Sequence, residues 1–196
     1  MPEDGSNDSK DDSDFEEQYN RTFHYEQITD NMEMEIATYL QQVSEGRLSD
    51  FSKSQIAQMM RQIDELESIG DSFFHLVRTL QSKRLNEPTE FTYSQSQQMT
   101  TMLNLAEKAM DEMRAILNRP EDTCVNLEDS YEIENMLDEL RNTCRQDNFN
   151  SLSKGEYNYR LGVFFNDFIA GCEKIGDYVL NIIQAEKQIE MAKNKL

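Results

Sequence analysis

Past residue 22 the chain contains only two prolines, Pro88 and Pro120, each at the edge of a long stretch dominated by Met, Leu, Ile, Glu, Gln and Lys. A proline inside a helix costs roughly 3 kcal/mol. A chain that admits it only between such stretches is suited to long helices and poorly suited to strands.

The apolar residues recur at helical spacing. A first helix is expected over about 23–43, with Ile28, Met32, Ile36, Tyr39 and Leu40 on one stripe, ending near Gly46. A second, about 52–84, follows potential N-caps between Ser49 and Ser52 and carries Ile56, Met59, Ile63, Leu66, Gly70, Phe73, Val77 and Leu80. A third, about 92–118, is lined by Met99, Met102, Leu103, Ala106, Met110, Met113 and Leu117, a methionine-rich stripe suited to filling a core. A fourth is expected over about 127–146, and a fifth from near Ser153 to the C-terminus. Long amphipathic helices joined by short loops must bury their stripes on one another, so the expected fold class is all-α, an antiparallel helical bundle.

Charge narrows the function. The 196 residues carry 38 acids against 19 bases, a formal charge of −19, with a mean hydropathy of −0.77. Nucleic-acid backbones call for a basic footprint, and anionic membrane faces repel such a chain. Metal cations and basic partner surfaces are the compatible classes. Residues 1–20 hold eight of the acids against Lys10 alone, with Phe15 and Tyr19 as the only aromatics. Such a stretch has little apolar area to offset the entropy of ordering, so residues 1–21 are expected to be a disordered acidic leader or linker. No apolar run reaches the ~20 residues of a membrane helix, so direct membrane insertion is not expected. The acidic N-terminus lacks the apolar core of a secretory signal. Cys124, Cys144 and Cys172, odd in number and without Cys-x-x-Cys spacing, suit a reducing compartment.

One string occurs twice. Glu67-Ser68-Ile69-Gly70-Asp71 and Glu173-Lys174-Ile175-Gly176-Asp177 both read Glu-x-Ile-Gly-Asp, 106 residues apart, which suggests two related halves. Glu and Asp at i and i+4 stand one above the other on a helix, along one edge of the apolar stripe. Like charges so placed repel, and beside apolar neighbours the penalty grows unless a cation lies between them. His75 and Asn181 continue the two ladders by another four residues, and imidazole nitrogen and amide oxygen are both competent ligands. Gly70 and Gly176 would let a neighbouring helix approach closely. Partner ladders stand at Glu26, Asp30 and Glu33 in the first helix and at Glu134 and Asp138 in the fourth, where Glu128 and Glu132 compete for the role. Carboxylates converging from two antiparallel helices build hard-cation sites in bundles. The same residues have plainer readings: single acidic pairs usually mark a solvated face, and the repeated carboxylates could instead accept hydrogen bonds from Arg or Lys of the next helix.

The two strings resemble the Glu/Asp-x-x-x-Asp motifs of the PhoU family, often Glu-Arg-Ile-Gly-Asp there. Residues Tyr25 to Ala37 resemble the start of the PhoU-like region in sodium/phosphate cotransporter family proteins, and Gly162 to Ile182 resemble its last helix, so the resemblance spans roughly residues 23–185. It implies tandem three-helix-bundle repeats, here with the first helix of repeat one missing, a partial repeat over 22–88 and a second over 89–196. It implies metal, usually iron or zinc, on the acidic ladders, with manganese and magnesium also open, matched best by Glu67/Asp71 and Glu173/Asp177 and in character by Glu26/Asp30 and Glu134/Asp138. It implies a regulatory domain of a sodium-dependent phosphate transport protein at the cytoplasmic face of the membrane. The partner would be a transmembrane transporter core, in the same chain or as a separate subunit, with self-association into a homo-oligomer left open. Since membrane segments are lacking, the chain is expected to be a fragment or a detached module. The alternatives are a stand-alone PhoU-type adaptor and a metal-free helical interaction module. Enzymatic chemistry is not expected: the Glu-x-x-His spacing of di-metal carboxylate oxidases is missing, as is a Gly-x-Ser-x-Gly nucleophile elbow.

Overall fold

The structure, a computed structural model, describes residues 5–120 and 123–194. Among them five helices occur and no strand: α1 (Gly5–Ser44), α2 (Asp50–Asn86), α3 (Tyr93–Leu117), α4 (Glu128–Lys154) and α5 (Tyr159–Lys193). None is long and apolar enough to cross a membrane. The helix starts follow local chemistry. Ser49 Oγ accepts the Ser52 backbone N–H at 3.1 Å to open α2. Thr92 and Gln95 form a reciprocal capping box at α3, and Asn158 Oδ1 caps α5 through the Leu161 N–H at 2.9 Å. The α4–α5 connection turns at Gly155, whose φ of +70° is the left-handed conformation that glycine adopts freely.

Helix α5 is the hub. Helices α2, α3 and α4 all pack against it, α3 also meets α4, and among the described residues α1 meets only α2. Phe165, Ile169, Cys172, Ile175, Ile182 and Ile183 of α5 are fully buried, joined by Met102 of α3 and Leu137 and Cys144 of α4. The architecture is a three-helix bundle (α3, α4, α5) with the α1–α2 hairpin laid against it through α2. The link between α3 and α4 is tied down by polar contacts to the end of α5. The Val125 N–H donates to Glu190 Oε2 at 2.6 Å, and Arg119 pairs with Glu186 at 2.9 Å.

Three boundaries differ from the sequence expectation. Helix α1 begins at Gly5, not near Phe23, so from Gly5 onward the expected disordered leader is helical; residues 1–4 lie outside the described residues. The cause is an aromatic ladder at four-residue spacing. The Tyr19 and Phe23 rings lie 5.6 and 5.2 Å from the Phe74 ring of α2, and Arg84 of α2 lies 4.6 Å over the Phe15 ring while pairing with Asp12. Helix α4 runs eight residues past its expected end to Lys154, and α5 starts at Tyr159. The Ser- and Asn-rich run before Gly155 is helical because Asn148 is buried and satisfied, donating to the Gly162 carbonyl at 3.0 Å and accepting from the Tyr157 hydroxyl at 2.7 Å.

The glycines of the repeated strings sit at the closest helix approaches. A Cβ on Gly70 would lie 2.6 Å from Thr29 Oγ1 of α1, and a Cβ on Gly176 would collide with Leu137 Cδ1 of α4. These contacts align α1 with α4 at an offset of 108 residues and α2 with α5 at 106. The two halves therefore share a register as well as a string. Gly70→Ala gains about 1 kcal/mol in helix propensity and meets an overpacking cost of about 1–3 kcal/mol. A net loss of about 1 kcal/mol is expected in denaturant melts, mostly recovered in the Thr29→Ala/Gly70→Ala double variant; equal losses in both would contradict the assigned contact.

Candidate functional site

The repeat places two acidic ladders in equivalent positions, and the structure treats them differently. In the first half, Glu26 and Asp30 of α1 and Asp71 of α2 offer ligand atoms that all lie within 4.8 Å of one another. Asp30 Oδ1 is buried without a hydrogen-bond partner. Glu67 is half-buried beside them, and burial followed by the charges of Asp71 and Asp30 pushes its carboxyl above the usual carboxylate range. Glu26 is raised in the same way, by burial and then by Asp30 and Asp71. Glu33, one turn along α1, adds a further negative charge felt at Glu67. Among the described residues this is the one acidic, histidine or cysteine cluster with such convergence.

In the second half a guanidinium takes the central place. Arg141 of α4 pairs with Asp138 at 3.1 Å and with Glu173 of α5. Arg141 is 21% and Glu173 12% exposed, so the pair is largely withdrawn from water. Burial still raises Glu134, Glu173 and Asp177, and Arg141 pulls each of them back. The expected ladder of Glu134, Asp138, Glu173 and Asp177 is therefore assembled in space, but it contains its own cation. At the 108-residue offset Arg141 aligns with Glu33. One position thus decides whether a ladder is acidic throughout or internally neutralised.

The extensions of the ladders separate as well. His75 is exposed and lines a cleft of about 550 Å³ together with Glu26 and Asp71. Asn181 instead accepts from Arg61 of α2 at 2.9 Å, which ties α5 to α2. Glu128 and Glu132, the competitors for the α4 ladder, are exposed. Burial pushes the thiols of Cys144 and Cys172 up to about 11 and about 12, so both stay protonated at neutral pH.

The chemistry of the donors can be tested against the cation that the family resemblance implies. The first ladder fits. Its donors are carboxylate oxygens from two helices, one is orphaned and buried, and its charges face each other, the setting in which a hard cation relieves both repulsion and desolvation. The second ladder does not fit, because Arg141 already supplies the positive charge.

No family model, no curated protein and no solved structure matches the chain.

Two outcomes follow. Arg141→Gln leaves Glu173 and Asp138 without their cation, and a loss of about 2 kcal/mol is expected, discounted from the fully buried case for partial exposure. An unchanged denaturation midpoint would show that the pair contributes nothing net. The second outcome concerns pH. The raised carboxyls bind protons in the folded chain that the unfolded chain has already released, so stability grows as pH falls from neutrality toward the ordinary carboxylate range. Metal-free protein should melt higher at about pH 5 than at about pH 7, and by a smaller margin in Glu67→Gln; a falling melting temperature over that interval would contradict the assignment.

Proposed function

We propose that this chain is a regulatory and interaction domain of PhoU type serving sodium-dependent phosphate transport, in which a cation held by Glu26, Asp30 and Asp71 fastens α1 to α2. The observation that carries this reading is the convergence of those three carboxylates at the point where Gly70 lets the two helices close in. The cation supplies positive charge between helices that otherwise repel. Glu26 and Asp30 hold it from α1 and Asp71 from α2, while Glu67 and Glu33 deepen the local negative potential. An all-oxygen donor set favours magnesium or manganese, and recruitment of the nearby His75 nitrogen would favour iron or zinc.

The role is binding and regulation, with no chemical step assigned to any residue. The partner on this reading is a membrane-embedded phosphate transporter core at the cytoplasmic face, carried in the same chain or as a separate subunit. A metal-free interaction module is the second reading, favoured by Arg141, which shows that a ladder of this shape can be satisfied from within.

Protein purified without chelator should contain about one equivalent of metal, lost in Glu26→Gln/Asp71→Asn together with the metal-dependent rise in melting temperature. Deleting the gene for this chain should alter phosphate uptake by the cell, with restoration by the wild type and not by that variant. Metal-free protein whose melting ignores added manganese, iron and zinc removes the cation and leaves the metal-free module. Unaltered uptake on deletion removes the phosphate role.

A further inference from the structure

The shared register reveals a surface that one half covers and the other leaves open. Helix α3 lies along α4 and α5, and nothing among the described residues lies along the equivalent flank of α1 and α2. Beside Ala109 of α3, Ile133 of α4 is 3% exposed; its counterpart Tyr25 is 53% exposed. Cys172 of α5, in the core, is fully buried, and its counterpart Leu66 is 39% exposed. Leu140 packs against the core, whereas its counterpart Met32 is 53% exposed. Asp147, itself exposed but hydrogen-bonded to Gln98 of α3 at 2.8 Å, marks the edge of the covered flank and aligns with Tyr39, which is 64% exposed.

Tyr25, Met32 and Tyr39 follow the seven-residue spacing of a helix–helix seam, Ile28 lies at its edge, where its counterpart Met136 is 41% exposed, and Leu66 borders it from α2. An apolar stripe of this length, rich in Tyr and Met, has the character of a contact surface. Its setting is acidic: from Asp12 to Ser44, α1 carries eight acids against Arg21 alone.

We infer that this flank is the seat of a basic amphipathic α-helix from a partner protein, docked on α1 and α2 as α3 docks on α4 and α5. The partner's apolar stripe replaces what Met99, Met102, Ala106, Ala109 and Met113 of α3 supply in the other half, and its basic flanks answer the charge of α1. The inference rests on the repeat and the exposed stripe, and stands whether or not a cation binds at Glu26, Asp30 and Asp71.

The test uses the full chain and a fluorescent 25-residue peptide with the α3 sequence, Tyr93–Leu117, carrying Glu107→Lys, Asp111→Lys and Glu112→Lys. Saturable binding is expected by anisotropy, with and without EDTA. It should weaken about tenfold or more in Tyr25→Lys/Met32→Lys, whose exposed positions leave the fold intact by thermal melting, and the unmodified acidic α3 peptide should bind more weakly than the basic one. Absence of saturable binding, or binding indifferent to the two substitutions, overturns the inference. So does a wild-type chain that sediments as a dimer and becomes monomeric in Tyr25→Lys/Met32→Lys, which would assign the flank to a second copy.

Discussion

Two close helix approaches, at Gly70 against Thr29 and at Gly176 against Leu137, set the terms for everything around them. Without a Cβ on either glycine the helices draw near enough for flanking carboxylates to feel one another. Glu67 and Asp71 then face Glu26 and Asp30, and Glu173 and Asp177 face Glu134 and Asp138, as the raised carboxyls record. Close packing of apolar seams and mutual repulsion of carboxylates are thus one arrangement seen from two sides. The second half answers the repulsion with Arg141. In the first half the position that holds Arg141 in α4 holds a further acid, Glu33, in α1, and the nearest cations on its cleft are Arg78 and Lys174 on the lining.

Helix α5 explains why the repulsion is tolerated. Thirteen of its residues are buried, among them Phe165, Ile175 and Ile182, and it is shared by both halves through α2, α3 and α4. At about 25 cal/mol per Å² of apolar surface removed from water, each large side chain buried there contributes on the order of 2 kcal/mol, comparable with the cost of an imperfectly compensated carboxylate at the rim. The acids stand at the edges of the stripe, not in its centre, and the bundle holds them close without depending on their attraction.

How much of this was legible in the sequence varied with the kind of signal. Four- and seven-residue apolar spacing located the first three helices, and the two prolines marked the ends of the second and third, because periodicity reports directly on a buried face. The N-terminal extension of α1 was missed because net charge dominated the reading of residues 1–21. The relevant signal was the spacing of Phe15, Tyr19 and Phe23, three rings that find Phe74 and Arg84 on a helix distant in sequence. The duplicated string marked Glu67, Asp71, Glu173 and Asp177, while Glu26, Asp30, Glu134 and Asp138 were legible only as acidic pairs at four-residue spacing on the partner helices. The unequal fate of the ladders was not, since it depends on Arg141, which lies outside that string. The 108-residue offset between Glu26-x-x-x-Asp30 and Glu134-x-x-x-Asp138 would have placed Arg141 opposite Glu33. Asn181 looked like a ladder extension on its own helix, but the side chain it meets, Arg61, comes from α2.

Because α1 meets α2 and no other helix among the described residues, it can come away while α3, α4 and α5 keep every one of their mutual contacts. Its hold is correspondingly shallow: along its described side chains only Leu40 is buried, at 4% exposure. A helix attached along one edge behaves as a cooperative unit of its own, with an opening free energy well below that of the bundle it leans on. Anything that bridges α1 and α2 is therefore felt first as slower exchange of α1 backbone amides with solvent, long before the melting of the bundle core registers it.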